Sequence, residues 1–472
     1  MSTAACYSYA SYAPAGAAPS ASAPARRQRQ WLLGLFAVCL VIPVADVPGW
    51  GISLSTPIFC FLALDLAWRR DAAGRRPYTK WILLAALFWL GQFFSIAGNV
   101  LVGNLSEVSL GDILHLVRFA YWMTVFVVVT ALLSRLELGP WLCRLLANAL
   151  MALGALRLVE AFGLGTWGYA KAVLYTPNGY GLLFSTFTPF LLWSVLAETG
   201  WRRLWFGLGL AIAALAIAGN GSRSSWVAVT LGLLIVGFWF AASQPRALTR
   251  LMPVLLAGAA LCLIAVSLLP AHVLQPVSDR FLTVERLDRD KSYAIRQVLL
   301  RKTADLFSAN PLLGVGSGRF RGTHAPMEIP HLLHFRNEAD LNRRSAHNAY
   351  AGVLAESGLA GMLPLAALLS VLAWQGWRAA RLRAPQESWV IAVYASFIAM
   401  SIHLCTVAGL TGTAPWFLYG VVAALIHSVR PGTLARPELG LLRPARGKSV
   451  ASRLVGSHGT HNHLGAASLS HR

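Results

Sequence analysis

Long apolar stretches alternate with polar loops over most of the chain, from Trp31 to His427. A helix needs about 20 apolar residues to cross the hydrocarbon of a bilayer, and most of these stretches approach that length. They are rich in Leu, Ala and Val and lack the alternation of a membrane strand, so each one predicts a helix. We expect about twelve spans, near Trp31–Val47, Ile52–Trp68, Trp81–Val100, Ile113–Leu133, Trp141–Phe162, Tyr180–Leu196, Leu204–Ala218, Ser225–Ala242, Leu251–Leu269, Ala349–Trp374, Trp389–Val407 and Pro415–Ile426.

Composition supports the same class. Of the 472 residues, 56% are hydrophobic and 12% are charged. Soluble domains carry about 25% charged residues, so this chain lies far outside that class. The sequence therefore predicts an all-α polytopic membrane protein.

The charges in the loops predict its orientation. Lys and Arg are concentrated in every second loop, and the loops between them hold almost none, apart from one long loop. This positive-inside pattern places both termini in the cytoplasm and the other loops on the external side. The net charge of +21 follows mostly from this topology. Because the basic residues are dispersed, they favour contact with membrane lipids and argue against a nucleic-acid partner.

The pattern divides the chain into five parts. The long external loop carries many Lys and Arg residues, and such long loops cross the membrane regardless of charge and are usually functional. The five parts are a disordered cytoplasmic N-terminus (1–30), nine membrane helices (31–269), the external loop with an amphipathic helix (270–346), three more membrane helices (347–429) and a basic cytoplasmic tail (430–472).

Arg223 lies in a tight external turn, just before a helix that returns inward. The N–H groups at that helix N-terminus favour an anion, and Ser224 or Ser225 is expected to cap it. Together with Arg223 and Ser222, the turn predicts a phosphate-binding corner. The alternative is an arginine that extends to lipid headgroups.

Arg296 lies on a predicted amphipathic helix in the external loop, Tyr293–Phe307. Apolar residues such as Leu299 and Leu306 recur on one side of this helix at helical spacing. A glycine-rich segment follows, in which Gly314 and Gly316 permit positive φ angles. That segment is by itself a weak signal of a binding loop.

His347 precedes the apolar helix that follows the external loop. The dipole of this inward helix and the neighbouring Arg343 and Arg344 disfavour imidazolium. We therefore expect a pKa below the ordinary value and a neutral base at pH 7. The alternative is an interfacial histidine that bonds a loop carbonyl.

Further residues at the external end are candidates for contact with a substrate. For the first three, which share one face of the fourth span, an internal ion-pair network is the alternative. They are Asp112, His115 and Arg118, with Lys171, Asn178, Arg301, Arg319, Asn348 and Tyr350 elsewhere.

No metal site or cofactor is expected. The six cysteines form no CxxC pair, and five lie in or beside apolar spans. A disulfide framework and a zinc site are therefore unsupported.

These motifs in this order resemble the O-antigen ligase and polymerase superfamily, over about 177–361. The resemblance rests on Ser-Arg-Ser-Ser-Trp at 222–226, Arg296, Asn-Pro-Leu-Leu-Gly-Val-Gly at 310–316, His-Asn-Ala-Tyr at 347–350 and Glu-Ser-Gly-Leu-Ala-Gly at 356–361.

The resemblance implies a GT-C-type glycosyltransferase in the bacterial inner membrane, with a periplasmic active site. The implied donor is a glycan on undecaprenyl diphosphate, and the implied acceptor is a sugar of the lipid A–core. Arg223 and Arg296 would stabilise the diphosphate without metal, and His347 would activate the acceptor hydroxyl in an inverting transfer. Ligase activity is the leading expectation. A polymerase, a protein O-oligosaccharyltransferase and, from a different class, a polysaccharide transporter remain alternatives.

Overall fold

The computed structural model of the chain describes residues 23–42, 55–68, 79–134, 139–163, 176–246, 290–330, 333, 337–384 and 387–428, with scattered positions between 249 and 282. This part of the chain contains helices and no strand. The described helices are α1 (Ala23–Val41), α2 (Ser55–Trp68), α3 (Thr79–Leu101), α4 (Leu110–Leu133), α5 (Gly139–Gly163), α6 (Pro177–Ala197), α7 (Gly200–Asn220), α8 (Arg223–Ser243), α9 (Lys291–Ala309), α10 (Glu338–Asn342), α11 (Ala349–Arg383), α12 (Trp389–Leu404) and α13 (Thr413–Ser428), with a 3-10 helix at Gly409–Thr411.

Among the described helices, seven are long and apolar enough to cross a membrane, namely α3 to α8 and α11. Three shorter apolar helices lie in α2, α12 and α13. The chain is therefore a multi-pass membrane protein, as the apolar pattern predicted. A helix overlaps each predicted span apart from Leu251–Leu269, where only scattered residues are described.

Three boundaries differ from the prediction. Helix α1 begins at Ala23, so residues 23–30, which we expected to be disordered, are helical. Helix α7 has 21 residues, although its apolar stretch is short. Helix α11 continues to Arg383, past the predicted end at Trp374. In each case the apolar stretch marks only part of the helix, and residues that favour helix extend it. The segment before residue 23 and the predicted tail, 430–472, lie outside the described residues.

Helix α6 is the most enclosed of the described spans. It packs against α5, α7, α8 and α12, and nearly every side chain from Tyr180 to Leu196 is buried. A second group is formed by α3 on α11 and by α4 on α13. Helix α12 also packs on α11 and α13, so it joins the two groups.

Helix α11 is interrupted near its start. Gly358 has φ 55° and ψ −151°, which only glycine adopts without strain. The loop segment 311–316 bonds the backbone groups that the interruption releases. The N–H groups of Val315 and Gly316 donate to the carbonyls of residues 355 and 356 at 3.0 Å, and those of residues 359 and 360 donate to the carbonyls of residues 311 and 312 at 2.9 and 3.0 Å. The external loop is thereby fastened to the first turns of α11.

Polar side chains of α3 bond the same junction. Gln92 Nε2 donates to Ser357 Oγ at 3.1 Å. Ser95 Oγ lies 2.7 Å from the carbonyl oxygens of both residue 313 and residue 356. Asn99 Nδ2 donates to the carbonyl of Gly314 at 3.0 Å. Residues spaced three and four apart share a helix face. One polar stripe of α3 therefore supplies hydrogen bonds to the polar groups at this junction.

Helix α9 packs its apolar side onto the rest of the loop, burying Leu299 and Leu306 as its spacing predicted. Lys302 on the same side is buried and donates to the carbonyls of Phe320 at 2.9 Å and Asn342 at 3.1 Å. Burial lowers the pKa of Lys302 to about 8. This amino group therefore ties α9 to the two segments that follow it.

The contact between α3 and α11 gives a test of the fold. A Cβ on Gly91 would lie 2.2 Å from the backbone oxygen of Ala360, and a backbone atom cannot move aside. We expect Gly91→Ala to destabilise the protein by about 1–3 kcal/mol and to lower its Tm in detergent. Gly237→Ala is the matched control, because Gly237 is helical and has no neighbouring atom within 4 Å of such a Cβ. Equal Tm values for the two variants would contradict this packing.

Candidate functional site

Arg223 is the first residue of α8 and follows Gly221, whose left-handed backbone (φ 67°) ends α7. Ser222 occupies the N-cap position, but its side chain makes no capping hydrogen bond. The expected cap by Ser224 or Ser225 is wrong, because both residues lie inside the helix. Ser225 Oγ instead donates to the carbonyl of Ser222 at 2.6 Å. Serine hydroxyls in the first turn cannot reach the N–H groups that the N-cap position serves.

This turn is fixed against the start of α6. Asn220 Nδ2 donates to the carbonyl of Pro177 at 2.6 Å. Ser222 Oγ lies 3.4 Å from Asn178 Oδ1 and 3.3 Å from Ser224 Oγ. The structure thus brings the predicted residues Asn178, Ser222 and Ser224 together beside Arg223. Lys171, the other candidate in the loop before α6, lies outside the described residues.

Arg223 forms an ion pair with Asp290, a residue that sequence reasoning missed. Asp290 is the N-cap of α9, and its side chain accepts from the N–H groups of Ser292 at 2.8 Å and Tyr293 at 3.3 Å. One buried carboxylate therefore joins the start of α8 to the start of α9. Because Arg296 lies in the second turn of α9, this link also fixes the position of Arg296. An aspartate directly before an amphipathic helix is a helix-start signal that pointed to Asp290.

His347 has a left-handed backbone, with φ 51°, and is the one such non-glycine residue in the described chain. It lies just before Asn348, the N-cap of α11. Asn348 Oδ1 accepts from the N–H groups of Tyr350 and Ala351 at 3.0 Å. The histidine therefore stands at a helix N-terminus, as predicted, in a conformation that must be held by its surroundings.

The pKa of His347 is lowered to about 4, chiefly by burial and then by the positive charges of Arg296, Arg344 and Arg321. The predicted direction is confirmed, but its main cause is burial, which sequence does not display. The imidazole is neutral at pH 7 and able to accept a proton. Arg296, on α9, therefore lies within electrostatic range of the start of α11.

His403, near the end of α12, is a second histidine beside Arg296. Its side chain is completely buried. A Cβ on Gly181 would lie 3.1 Å from its ring, and the backbones of Asn178 and Ser224 also approach it. Neither ring nitrogen makes a well-formed hydrogen bond within the described part of the chain. Sequence reasoning missed His403, although an ionisable residue inside a predicted span is a functional candidate.

Asp112 and Arg319 form an ion pair at the outer end of α4. Arg319 Nε also donates to Asp112 Oδ1 at 2.9 Å, and the carboxylate raises the pKa of the Arg319 guanidinium. The ion-pair interpretation is therefore correct for Asp112, with Arg319 and not Arg118 as the partner. His115 packs against Gly318, where a Cβ would lie 2.9 Å from the ring.

Several other candidates are directed elsewhere. Arg301 is exposed and pairs with Glu328 at 3.3 Å on the outward side of α9. Tyr350 donates its hydroxyl to the carbonyl of Ser401 at 3.1 Å, which ties α11 to α12. The structure does not bring Arg301 or Tyr350 to the cluster of Arg223, Arg296 and His347.

The remaining candidates lie in the chain segments around the site. Gly314 and Gly316 have φ angles of 63° and 107°, which the bonds to α11 require. Arg344 pairs with Asp340 at 3.4 Å, whereas Arg343 is exposed.

The lowered pKa of His347 is directly testable. Diethyl pyrocarbonate modifies neutral imidazole, so its reaction with His347 should remain fast from about pH 8 to about pH 5, whereas a histidine peptide with the ordinary pKa slows. Arg344→Gln removes a nearby positive charge and should raise the pKa. Arg343→Gln is the control and should not. Mass spectrometry of the modified peptide gives the rates. A midpoint for His347 equal to that of the peptide would refute the assignment.

Comparison with known families bears on the same segment of the chain. The family model described as O-antigen ligase matches residues 208–366, which include Arg223, Arg296 and His347. No curated protein matches the chain significantly. The family match confirms, over residues 208–366, the resemblance inferred from the motifs.

Proposed function

We propose that this protein is an O-antigen ligase, a glycosyltransferase of the GT-C type. It transfers a glycan from undecaprenyl diphosphate to a sugar of the lipid A–core, at the periplasmic face of the bacterial inner membrane. The family match supports the class of enzyme. The loop charges support the orientation, since Lys and Arg are concentrated in the alternate loops assigned to the cytoplasmic side.

One observation carries the proposal. Arg223, Arg296 and His347 come from three segments far apart in sequence, and interactions within the fold link these segments. Asp290 links Arg223 to the helix that bears Arg296, and Arg296 acts electrostatically on His347. Two guanidinium groups beside a neutral base suit a reaction in which a diphosphate leaves and a hydroxyl loses its proton.

These three residues are sufficient to account for the proton and the leaving group in the transfer. The acceptor hydroxyl attacks the anomeric carbon of the donor sugar while His347 takes its proton. The bond between that carbon and the diphosphate oxygen breaks, and undecaprenyl diphosphate leaves with the bonding electron pair. Attack opposite the leaving group inverts the anomeric configuration. Arg223 and Arg296 stabilise the negative charge that develops on the diphosphate, and His347 then releases its proton to water.

Asp290 has a positioning role in this scheme. A guanidinium has five N–H donors, and an ion pair with one carboxylate uses only some of them. The remaining N–H groups can donate to phosphate oxygens. The buried carboxylate fixes the orientation of Arg223 before the donor arrives. Such preorganisation lowers the cost of aligning the cation during the reaction.

Lipopolysaccharide gel profiles of a strain that lacks the gene test the proposal. Loss of the entire O-antigen ladder with intact core, together with accumulation of lipid-linked polymer, is the result expected for a ligase. Core carrying a single repeat unit would instead identify a polymerase. Restoration of the ladder by the wild-type gene is the control for the deletion.

Alanine at Arg223 or Arg296 should cost about 2.7–4 kcal/mol of transition-state stabilisation, a loss on the order of 100- to 1000-fold in kcat. Lysine at either position should not restore the rate, because it lacks the forked donors of arginine. Transfer is measured with purified donor and acceptor at matched protein concentration. Arg378→Ala, at an exposed position of α11 outside the cluster, is the control. A near-normal rate in either alanine variant would remove that arginine from the mechanism, and loss of transfer with a chelator would refute the metal-free scheme.

His347→Ala should abolish transfer and leave donor binding largely intact, since the arginines hold the diphosphate. In the wild type, activity should persist as the pH falls and decline only as it approaches the pKa of about 4, where imidazole becomes protonated. The measurements are a reconstituted transfer assay over a range of pH and a donor-binding assay on the same protein. Simultaneous loss of binding and transfer would make His347 a phosphate ligand or a structural residue.

A further inference from the structure

A cavity of about 510 Å³ lies next to the segment that bears His347. Its wall includes Ala346 and Asn348, the residues immediately before and after the histidine. Helix α4, the loop around Phe320 and the first turns of α11 form the rest of the wall. Arg223, Arg296 and Asp290 are absent from this wall, so the cavity is separate from the arginine pair.

Two guanidinium groups, those of Arg118 and Arg321, line the cavity. Arg118 and Arg321 form no ion pair or side-chain hydrogen bond with any residue that the structure describes. Arg319 differs from these two, because it forms an ion pair with Asp112. One carboxylate, that of Glu356, also lines the cavity and accepts from the N–H of Phe320 at 3.3 Å. Two cations and one carboxylate leave an excess of positive charge that an anionic occupant would balance.

The remaining wall suits a saccharide. The rings of Phe119, Trp122 and Phe320 are buried in the fold and present rigid apolar faces. The polar residues Thr411 and Thr413 also line the cavity. A pocket of mostly apolar walls with a few placed polar groups binds a small molecule whose faces are apolar and whose edges are polar, as in a sugar ring.

His347 lies close to both groups of residues. Arg296 influences its imidazole electrostatically, and the cavity adjoins the residues on either side of it in the chain. Arg321, in the cavity wall, also lies within electrostatic range of the imidazole. A sugar in the cavity would bring a hydroxyl toward the base, while the diphosphate stays with Arg223 and Arg296.

We infer that this cavity holds the acceptor saccharide, and that Arg118 and Arg321 bind an anionic group on it, a phosphate or a carboxylate. The inference rests on the proposed function and extends it, since it defines the acceptor as an acidic sugar. Charge-assisted bonds from arginine select for that group and orient the sugar ring between the aromatic walls. Arg118 was a sequence candidate, whereas Arg321 and Glu356 acquire a role only from the fold.

Steady-state kinetics with purified donor and lipid A–core test the inference. Arg118→Gln, Arg321→Gln and the double variant should each raise the KM for the acceptor, by roughly 10- to 100-fold for one charge-assisted contact. The KM for the donor should not change. Arg378→Gln removes the same charge from a position outside the cavity and should leave both values unaltered. The Tm of each variant establishes that it is folded, and Arg321→Lys should retain part of the acceptor affinity because it keeps the charge.

Three forms of the acceptor identify the anionic group. Intact, phosphatase-treated and carboxyl-reduced lipid A–core are compared with the wild type and the double variant. Removal of the recognised group should weaken binding to the wild type as much as the double substitution does, and should have no further effect on the double variant. Sensitivity to phosphatase identifies a phosphate, and sensitivity to reduction identifies a carboxylate. Equal losses in both proteins on either treatment, or a raised KM for the donor, would overturn the inference.

A binding assay without donor separates this inference from the proposed function. If the wild type transfers glycan to lipid A–core but the arginine variants keep the acceptor KM, the cavity assignment fails and the ligase function stands. If the wild type transfers nothing, the ligase function fails. In that case, acceptor binding by the wild type but not by the double variant would still support the assignment of the cavity as the acceptor site. Equal acceptor binding by both proteins would refute that assignment.

Discussion

The interruption of α11 at Gly358 is the constraint on which the rest of the structure depends. A helix broken inside an apolar bundle releases carbonyl and N–H groups that water does not reach, and each must find a partner. Segment 311–316 and the polar stripe of α3 supply those partners. The requirement to satisfy the backbone therefore fixes the external loop on the bundle. In a continuous helix these backbone groups would bond one another, and the external loop would then lack this attachment to the bundle.

That attachment determines where the chemical groups lie. His347 stands at the end of the helical piece that the interruption separates from the rest of α11. Helix α9 is held at its start by Asp290 and on its buried side by Lys302. Arg296 is fixed between these two points, and Arg223 reaches the same place through Asp290. The site is thus assembled by contacts among loops and helix ends, while the long helices provide a rigid frame.

The sequence was sufficient to predict the helical class and most helix positions. The length of the apolar stretches and the distribution of charge among the loops depend directly on the bilayer. Both can therefore be interpreted without knowledge of tertiary contacts. The sequence was less informative about partners. Arg301 and Arg296 share one helix, and only packing decides that Arg301 faces outward. Asp290 and His403 carried local signals, but their proximity to the arginines depends on contacts between distant segments. Burial, the main cause of the low pKa of His347, is likewise a tertiary property.

The left-handed backbone of His347 has a consequence for how the protein responds to heat. Such a conformation costs about 1–3 kcal/mol in a residue with a side chain, and neighbouring structure must supply that energy. Regions held mainly by loop contacts open at lower free energy than enclosed helices such as α6. On warming, the histidine should relax to an ordinary conformation while the bundle is still intact. Catalysis and folding would then have separate thermal limits, with inactivation preceding any loss of helical signal.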